Sequence, residues 1–465
     1  MAELREAVDI VAAVLYILGV MRLRTPATAR SGNLVAAVGM VLVLAVTWIG
    51  QPAANLLLIV IVAAAGAAVG IWAGRGVAVT AMPQMVALLN GMGGGAASLV
   101  ALEQVLAATA GGTGAPVGLS LPAVFTVLCG AFSLGGSAIA FLKLQELMTG
   151  RPITFRGQHI VNAILLLVLV AVGAWAIALG TGVANGLVVA VAVGAALLGV
   201  LVVLPIGGAD MPVIISLLNA LTGLAVAISG FVLDSAVLIV AGALVGASGF
   251  ILTQLMAKAM HRSIGNVLFA GFGGEKQGPA AAGGAEGTVH PTQADEVAMM
   301  LAYAQLVVIV PGYGLAVARA QQEVRELMEL LVARGVDVRF AIHPVAGRMP
   351  GHMNVILAEA NVPYDRLYEM ERINSDFPRA DVALVIGAND VTNPAARNDP
   401  GSPIYGMPIL DVDKAHTVVV CKRSMASGFA GVDNPLFIMD KTLMLFGDAR
   451  ATVLALISEL KEMAA

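Results

Sequence analysis

A glycine-rich turn in the C-terminal half of the chain offers the clearest chemistry in the sequence, the binding of a phosphate group. The apolar run Val307–Val310 is soon followed by Gly312, Gly314 and Val317, a G-x-G-x-x-V pattern that opens a predicted helix. Gly312 permits a tight turn, and Gly314 lets a pyrophosphate approach the main chain at the helix N-terminus. Val317 replaces the usual Gly or Ala, and we expect this to affect helix–strand packing. The pattern predicts a dinucleotide site.

The residues after the next strand-like run disfavour NAD. An NAD site usually places Asp or Glu about 20 residues after the turn, whereas Phe340–Pro344 contains no carboxylate. Lys422, Arg423 and Ser424 follow a later strand-like run and supply two positive charges and a hydroxyl, which suit a phosphate monoester. We therefore expect these three residues to bind the 2′-phosphate of NADP(H).

Two further segments are placed to contact the same ligand. Asp390 follows the apolar run Val382–Ile386, so it falls at the C-terminal edge of the predicted sheet, where such sheets bind ligands. The segment Gly428–Asp433 contains two glycines and is predicted to close over the site as a lid.

Polar side chains inside the long apolar runs of the N-terminal half are candidate functional residues, because they are costly in a membrane. Asn90 and Asn219 lie near the middle of two runs, and Ser216 precedes Asn219 by about one turn. Ser133 and Ser137 share one face of a third run. Such residues either hydrogen-bond neighbouring helices or line a path for water and protons.

Asp210 stands at the start of an apolar run, directly before Met211 and Pro212. It fits a helix N-cap followed by proline in the first turn. It also fits a carboxylate at the mouth of a helix bundle, where it takes up or releases protons. The apolar interior contains no histidine, since His159 and His261 fall at predicted helix ends. A proton route would therefore cross the membrane on water, Asn and Ser.

An apolar helix bundle and a separate domain must position these residues. The chain is 58% hydrophobic and 12% charged, whereas soluble proteins average about 25% charged. This composition excludes an ordinary soluble enzyme, a disordered chain and a disulfide scaffold. The net charge of −4 gives no case for nucleic acid, and the two cysteines give no metal-binding spacing. We predict no metal and no nucleic-acid partner.

Nine apolar runs of about the length needed to cross a bilayer predict an all-α, polytopic membrane domain. Basic residues in the loops fall on one side of a nine-helix bundle, with Arg5 alone on the other. The N-terminus is therefore predicted outside and the C-terminal domain in the cytoplasm. The runs cover residues 8–21, 33–50, 54–73, 81–108, 121–147, 159–180, 183–204, 211–232 and 235–257.

The chain is predicted to divide into a transmembrane domain at 1–262, a flexible linker at 263–293 and an α/β domain at 294–465. The linker is rich in Gly, Ala and Pro and lacks periodicity. In the α/β domain, apolar runs alternate with helical stretches at 315–334 and 353–372, which predicts a Rossmann-like, doubly wound parallel sheet. The predicted strands are Val307–Val310, Val336–Ile342, Val382–Ile386, Ile409–Val412, Thr417–Cys421 and Leu443–Phe446.

Several sequence blocks together resemble the beta subunit of proton-translocating NAD(P) transhydrogenase. The resemblance covers the whole chain and is carried by Pro311–Val317, His343–Asn354, Gly387–Asp390, Cys421–Pro435, Gly208–Pro212 and Asn219. It implies that Gly312 and Gly314 hold the pyrophosphate and that Asp390 lies by the nicotinamide, as the catalytic residue. The implied cofactor-binding residues are Gly312, Tyr313, Gly314, Leu315, Ala316, Val317, Val345, Ala346, Gly347, Arg348, Gly387, Asn389, Asp390, Lys422, Arg423, Ser424, Gly428, Phe429, Ala430, Gly431, Val432 and Asp433.

The resemblance also implies a reaction and partners. NADP(H) would bind this chain, NAD(H) would bind a partner alpha subunit that adds further membrane helices, and hydride would pass directly between them. Inward proton movement would accompany the transfer in a multi-pass protein of a bacterial-type inner membrane, built as a dimer of protomers. The expected proton pathway and coupling residues are Asp210, Asn219, Asn90, Ser216, Ser137, His261 and Arg262.

One departure from the family concerns the middle of the membrane. Many members carry a histidine where this chain has Asn90, and an amide does not titrate near neutral pH. Two alternatives remain open from the sequence. One is a channel or transporter gated by a cytosolic nucleotide-sensing domain, and the other is a membrane-anchored NADPH-binding scaffold without transport.

Overall fold

A computed structural model describes most of the chain and divides it into two compact units, Met1–Thr253 and Gln254–Ala465. Each unit is considered by itself. The described residues are 2–23, 25–49, 53–77, 81–110, 115–145, 147–149, 153–180, 182–207, 210–259, 264–265, 288–347, 351–402, 404–428 and 430–463.

The first unit is helical. Eight helices among the described residues are long and apolar enough to cross a membrane. The preceding helix, α1, carries Glu3, Arg5, Glu6 and Asp9 near its start and is not one of the eight, so the predicted total of about nine spans stays a prediction. The helices are α1 Ala2–Arg22, α2 Pro26–Ile49, α3 Ala53–Gly76, α4 Met82–Ala110, α5 Val117–Leu144, α6 Gln158–Leu179, α7 Gly182–Val203, α8 Met211–Val232 and α9 Ala236–Ala259.

Glycines let the central helices α4, α5, α7 and α8 pack backbone to backbone. A Cβ atom on Gly199 of α7 would lie 2.1 Å from the carbonyl oxygen of Phe132 on α5, and one on Gly130 of α5 would lie 2.4 Å from the carbonyl oxygen of Gly94 on α4. In lipid, where packing rather than water exclusion holds helices together, such close contact is a main source of stability.

The second unit is built on a parallel sheet of seven strands, in the order β1-β7-β6-β5-β2-β3-β4. Without the two-residue strand β1, this is the strand order of a dinucleotide-binding sheet, whose connections reverse direction between β2 and β5. The strands are β1 His290–Pro291, β2 Leu306–Pro311, β3 Asp337–Ile342, β4 Leu367–Glu369, β5 Val382–Ile386, β6 Thr417–Lys422 and β7 Thr442–Phe446.

Helices cover this sheet, and its central strands are buried throughout, which explains their continuous apolar sequences. The longest helices are α12 and α16, and both present apolar residues to the sheet. The helices are α10 Ala294–Tyr303, α11 Tyr313–Val317, α12 Gln321–Ala333, α13 His352–Glu359, α14 Met370–Ile373, α15 Ala395–Asn398 and α16 Ala449–Glu462.

Some predicted elements are wrong. Ile409–Val412 is not a strand, because β6 pairs directly with β5 and leaves no place between them. Its side chains are nevertheless buried, which accounts for the apolar pattern. The helix predicted at 353–372 ends at Glu359, since Asn361 adopts a left-handed conformation and Pro363 follows. The helix predicted at 315–334 is broken at Arg319, where φ is +52°.

The end of the predicted linker has a structural role. Most of 263–293 lies outside the described residues, but His290 and Pro291 pair in parallel with Leu443 and Met444 and form the edge strand β1. Two residues of strand give no periodicity, so the sequence pattern could not reveal this pairing.

The close contact between α5 and α7 predicts a position-specific response to glycine substitution. Gly199→Val should lower the free energy of unfolding by about 2–3 kcal/mol, because the new side chain must push α7 away from Phe132. Gly66→Val on α3 is the matched control, since nothing lies within 4 Å of its Cβ position. Thermal unfolding of the purified complex in detergent checks this, and equal midpoints for the two variants would contradict it.

Candidate functional site

Two glycine turns meet at the point where the sheet connections reverse. The main-chain N–H of Gly312, after β2, donates to the carbonyl oxygen of Ile386, and that of Gly314 donates to the carbonyl oxygen of Gly387, both at 2.9 Å. A Cβ atom on Gly314 would lie 2.7 Å from the Cα atom of Gly387. Gly387 itself has a φ of +68°. The turns after β2 and β5 therefore touch through their backbones and form the floor of a crevice.

The turn after β2 continues into the short helix α11. Leu315 and Ala316 are buried, whereas Val317 is 48% exposed. Since Val317 faces outward and α11 ends there, its replacement of Gly or Ala does not alter packing against the strand, contrary to our expectation.

The predicted lid segment contacts the loop that follows β5. The main-chain N–H of Ala430 donates to Oδ2 of Asp390 at 2.9 Å. A Cβ atom on Gly428 would lie 2.4 Å from Oδ1 of Asp390, so only glycine allows this approach. Val432 is half-buried and Asp433 exposed. Asp390 therefore fixes the segment against the crevice, while Phe429 lies outside the described residues.

Asn434 joins the far end of this segment to the same loop. Its Nδ2 donates to the main-chain oxygen of Asn389 at 3.2 Å and to the side-chain oxygen of Asn389 at 3.1 Å. Its own Oδ1 accepts from the main-chain N–H of Leu436 at 3.0 Å. Asn434 was not among the predicted site residues, although it falls in the block Cys421–Pro435. The segment from Gly428 to Gly431 is thus held at both ends.

The expected phosphate-binding residues begin at Lys422, the last residue of β6. This strand pairs with β5 and places Cys421 opposite Ile386. Lys422 is partly buried and its Nζ donates to the main-chain oxygen of Ala426. Burial lowers the pKa of Lys422 from its ordinary value, and the charge of Asp390 acts in the opposite direction. Arg423 and Ser424 are exposed. The ammonium group of Lys422 therefore interacts with the charge of Asp390, while Arg423, the next residue, is exposed to solvent.

A neutral histidine shapes the loop after β3. His343 is buried, with Nε2 donating to the main-chain oxygen of Pro408 at 2.8 Å and Nδ1 accepting from the N–H of Val345 at 3.2 Å. Burial lowers the pKa of His343 to about 4, so the ring is uncharged at neutral pH. This arrangement fixes Val345 and Ala346, while Arg348 lies outside the described residues.

His352 joins this loop to the glycine turn. A Cβ atom on Gly347, which has a φ of +108°, would lie 2.3 Å from Nδ1 of His352. The rings of His352 and Tyr313 have centroids 6.2 Å apart. The ends of β2, β3, β5 and β6 therefore bring the described cofactor residues to one edge of the sheet. His343 and His352 were not among the predicted site residues, although both lie in the block His343–Asn354.

The membrane unit contains a buried polar cluster that joins three helices. Nδ2 of Asn90 on α4 donates to Oγ of Ser137 at 2.9 Å and to Oγ of Ser133 at 3.4 Å, both on α5. Oγ of Ser133 lies 2.6 Å from Oγ1 of Thr222 on α8 and donates to the carbonyl oxygen of Leu218 at 2.8 Å. Thr222 was missed, because an isolated threonine has no distinctive spacing.

Of the remaining predicted pathway residues, Ser216 and Asn219 lie on α8 and Asp210 directly precedes this helix. Oγ of Ser216 donates to the carbonyl oxygen of Gly249 at 2.9 Å and accepts from Thr253 at 3.0 Å, both on α9. Asn219 is half-buried. Asp210 is buried at the N-cap position, but its side chain accepts no hydrogen bond from the described first turn. Asp210 therefore takes the predicted N-cap position, with Pro212 in the first turn, but without the hydrogen bond of a capping side chain. His261 and Arg262 lie outside the described residues.

Comparison with known proteins accounts for both units together. A sequence model of the NAD(P) transhydrogenase beta subunit matches residues 5–459. NAD(P) transhydrogenase subunit beta of Rhodospirillum rubrum is 50% identical over 454 residues, which cover 96% of this chain and 97% of that protein. The protein of the same name from R. rubrum strain ATCC 11170 has the same identity and coverage.

This chain belongs to the NAD(P) transhydrogenase beta subunit family. It is therefore a subunit of a proton-translocating oxidoreductase that works with partner subunits, and the gated channel or transporter is not supported. The beta subunit of a transhydrogenase implies NADP(H) binding and an alpha subunit partner. With eight span-length helices among its described residues, the chain is a multi-pass membrane protein.

The contact between the two glycine turns predicts how a transhydrogenase beta subunit responds to a single added methyl group. Gly314→Ala should weaken NADP⁺ binding about tenfold, or about 1.4 kcal/mol, because the new Cβ atom forces the turns after β2 and β5 apart. Gly401→Ala is the control, since its Cβ atom would meet only the side chain of Asp399 at 3.3 Å. Calorimetric titration of the assembled complex measures both, and unchanged affinity in Gly314→Ala would contradict the prediction.

Proposed function

We propose that the α/β unit binds NADP(H) across the crevice between β2 and β5, and that hydride transfer there is coupled to proton movement through the helical unit. The observation that carries the proposal is the convergence of the Gly312 turn, the Asp390 loop and the Lys422 segment at one sheet edge, in a chain of this family.

The residues present fit NADP(H) better than NAD(H). The backbone contact between Gly314 and Gly387 leaves room that a Cβ atom would fill, which suits a pyrophosphate. No carboxylate follows β3, where His343 is instead buried and neutral. Lys422, Arg423 and Ser424 provide charge and a hydroxyl for the 2′-phosphate. We infer that the remaining cofactor residues, from Tyr313 to Val317 and from Val345 to Arg348, border the same ligand.

Direct hydride transfer requires alignment of the two cofactors and exclusion of water more than acid–base chemistry. When bound, the nicotinamide of NADP(H) supplies the carbon that accepts or donates the hydride. Asp390 holds the segment Gly428–Asp433 through Ala430 and so keeps this side of the site covered. Asn389 and Asn434 hold the base of the same segment. These contacts support Asp390 as the residue beside the nicotinamide.

The proton route in this proposal uses groups that hydrogen-bond but do not titrate. Asn90, Ser137 and Asn219 would order water across the middle of the membrane, with Ser216 on the same helix as Asn219. Asp210 would exchange protons at the end of the bundle, and we infer that His261 and Arg262, which precede the α/β unit in the sequence, pass its state to that unit. A membrane potential acts on each proton with about 2.3 kcal/mol per 100 mV. This is enough to change the transhydrogenation ratio tenfold or more.

The assembly is proposed to hold its α/β unit on the cytoplasmic side of a bacterial-type inner membrane, with the N-terminus outside. The loop basic residues support this orientation. An alpha subunit would carry the NAD(H) site and further membrane helices, and two such protomers would form a dimer. Protons then move inward when NADH reduces NADP⁺.

Asp210→Asn tests the coupling role. We expect an imposed proton gradient no longer to accelerate NADPH formation, because an amide cannot exchange the proton, while NADP⁺ affinity changes less than about threefold. Asp234→Asn is the matched control, since Asp234 is an exposed aspartate at the opposite end of α8. Stopped-flow NADPH formation in reconstituted vesicles gives the measurement. Gradient acceleration retained in Asp210→Asn would contradict the role.

Lys422→Gln with Arg423→Gln tests the cofactor assignment. The double variant should lose about 100-fold in NADP⁺ affinity, about 3 kcal/mol for two charge-assisted contacts, and should lose little affinity for NAD⁺. Lys461→Gln is the control, because its ion pair with Glu326 on the surface contributes little. If competition binding shows an equal loss of affinity for NADP⁺ and NAD⁺, Lys422 and Arg423 do not bind the 2′-phosphate.

A further inference from the structure

A buried cation occupies the end of α5 that lies beside the end of α7. Lys143 is only 3% exposed, in a helix long and apolar enough to span a membrane. A buried ammonium group is costly unless acceptors surround it, and ionisable residues within membrane helices usually have a function. The proposed proton route does not use Lys143, so its burial calls for another explanation.

Lys143 hydrogen-bonds two main-chain oxygens just past the end of α7. Its Nζ donates to the carbonyl oxygen of Leu204 at 2.5 Å and to that of Ile206 at 2.7 Å. The oxygen of Leu204 also accepts from the N–H of Ile153 at 3.1 Å. The ammonium group thus fixes an irregular segment whose carbonyl groups lie beyond the helix and have no helical partner.

Other helix ends in this bundle close without a charged side chain. At the end of α6, the N–H of Gly180 donates to the carbonyl oxygen of Ala176, and at the end of α8, the N–H of Leu233 donates to that of Ser229. The N–H of Leu204 likewise donates to the carbonyl oxygen of Val200 at 3.0 Å, so α7 ends in the same way and Lys143 is not needed to end it. What distinguishes the end of α7 is the segment that comes next.

That segment leads directly to Asp210. The carbonyl oxygen of Gly207, the residue after Ile206, accepts from the main-chain N–H of Asp210 at 3.1 Å. Asp210 is itself only 8% exposed and begins α8. A continuous series of contacts therefore runs from Nζ of Lys143 through Ile206 and Gly207 to the backbone of Asp210.

We propose that Lys143 is a positioning residue for Asp210. By holding the carbonyl groups of Leu204 and Ile206, it fixes residues 204–207, the described chain after α7, and keeps the Asp210 carboxylate at the end of the bundle. The inference rests on the proposed coupling role of Asp210 and adds a residue on a different helix to it. Lys143 acts through the backbone of Asp210 and need not exchange a proton itself.

The test uses Lys143→Met and Lys143→Arg in the full complex, reconstituted in vesicles. Methionine keeps the length of the side chain but cannot donate a hydrogen bond, whereas arginine keeps both charge and donors. Lys143→Met should lower gradient-driven NADPH formation about tenfold, with the KM for NADP⁺ unchanged, because a displaced carboxylate couples poorly. Lys143→Arg should restore at least half of the rate. Arg156→Met, on an exposed position of the loop after α5, is the control and should keep the full rate.

A double-mutant comparison separates positioning from general stability. If Lys143 acts through Asp210, Lys143→Met should have little further effect in the Asp210→Asn background. Equal proportional losses in both backgrounds, or a full rate in Lys143→Met, would overturn the proposal. If Lys143→Met fails to assemble, Lys143→Gln replaces it, since it keeps a donor without the charge.

The outcomes for the two proposals are distinct. Full coupling in Asp210→Asn would remove the proposed function of Asp210 itself. Lost coupling in Asp210→Asn together with full coupling in Lys143→Met would remove only the positioning role of Lys143.

Discussion

The contact between the backbones of Gly314 and Gly387 is the constraint on which the proposed nucleotide site depends. Two turns that belong to distant parts of the chain approach so closely that a single Cβ atom would separate them. This approach is possible because β2 and β5 are neighbours and their connections leave the sheet in opposite directions. The Asp390 loop continues from Gly387, and the segment at Gly428 rests on Asp390, so both take their positions from the same contact.

The helical unit is subject to a different constraint, because the buried polar groups that join α4, α5 and α8 are an amide and hydroxyls. Asn90, Ser133 and Thr222 bind one another across three helices, and glycines bring those helices close enough for the bonds to form. Such a cluster can order water but cannot store a proton near neutral pH. In the proposed function, protons are therefore exchanged at the end of the bundle, where Asp210 is a buried carboxylate.

Local sequence patterns predicted much of this architecture. The alternation of apolar strands and helices and the Gly312 turn predicted the parallel sheet and its binding edge, because both signals are contained in short segments. The prediction of a strand at Ile409–Val412 was wrong, since a buried apolar run can form either a strand or a loop. The missing signals are those of distant partners. The ring of His343 is held by a hydrogen bond to Pro408, and Lys143 bonds carbonyl groups that lie 61 and 63 positions away in the chain. Periodicity cannot encode such pairings.

Proton movement during turnover tests the central claim most directly. Vesicles that hold this chain with its alpha subunit, with the α/β unit facing the outer solution, would receive NADH and NADP⁺ while a trapped dye reports the internal pH. The account predicts that the interior becomes alkaline as NADPH forms, that NADPH with NAD⁺ makes it acidic, and that neither change occurs without the alpha subunit. Hydride transfer with no change of internal pH in either direction would contradict the coupling of the two units.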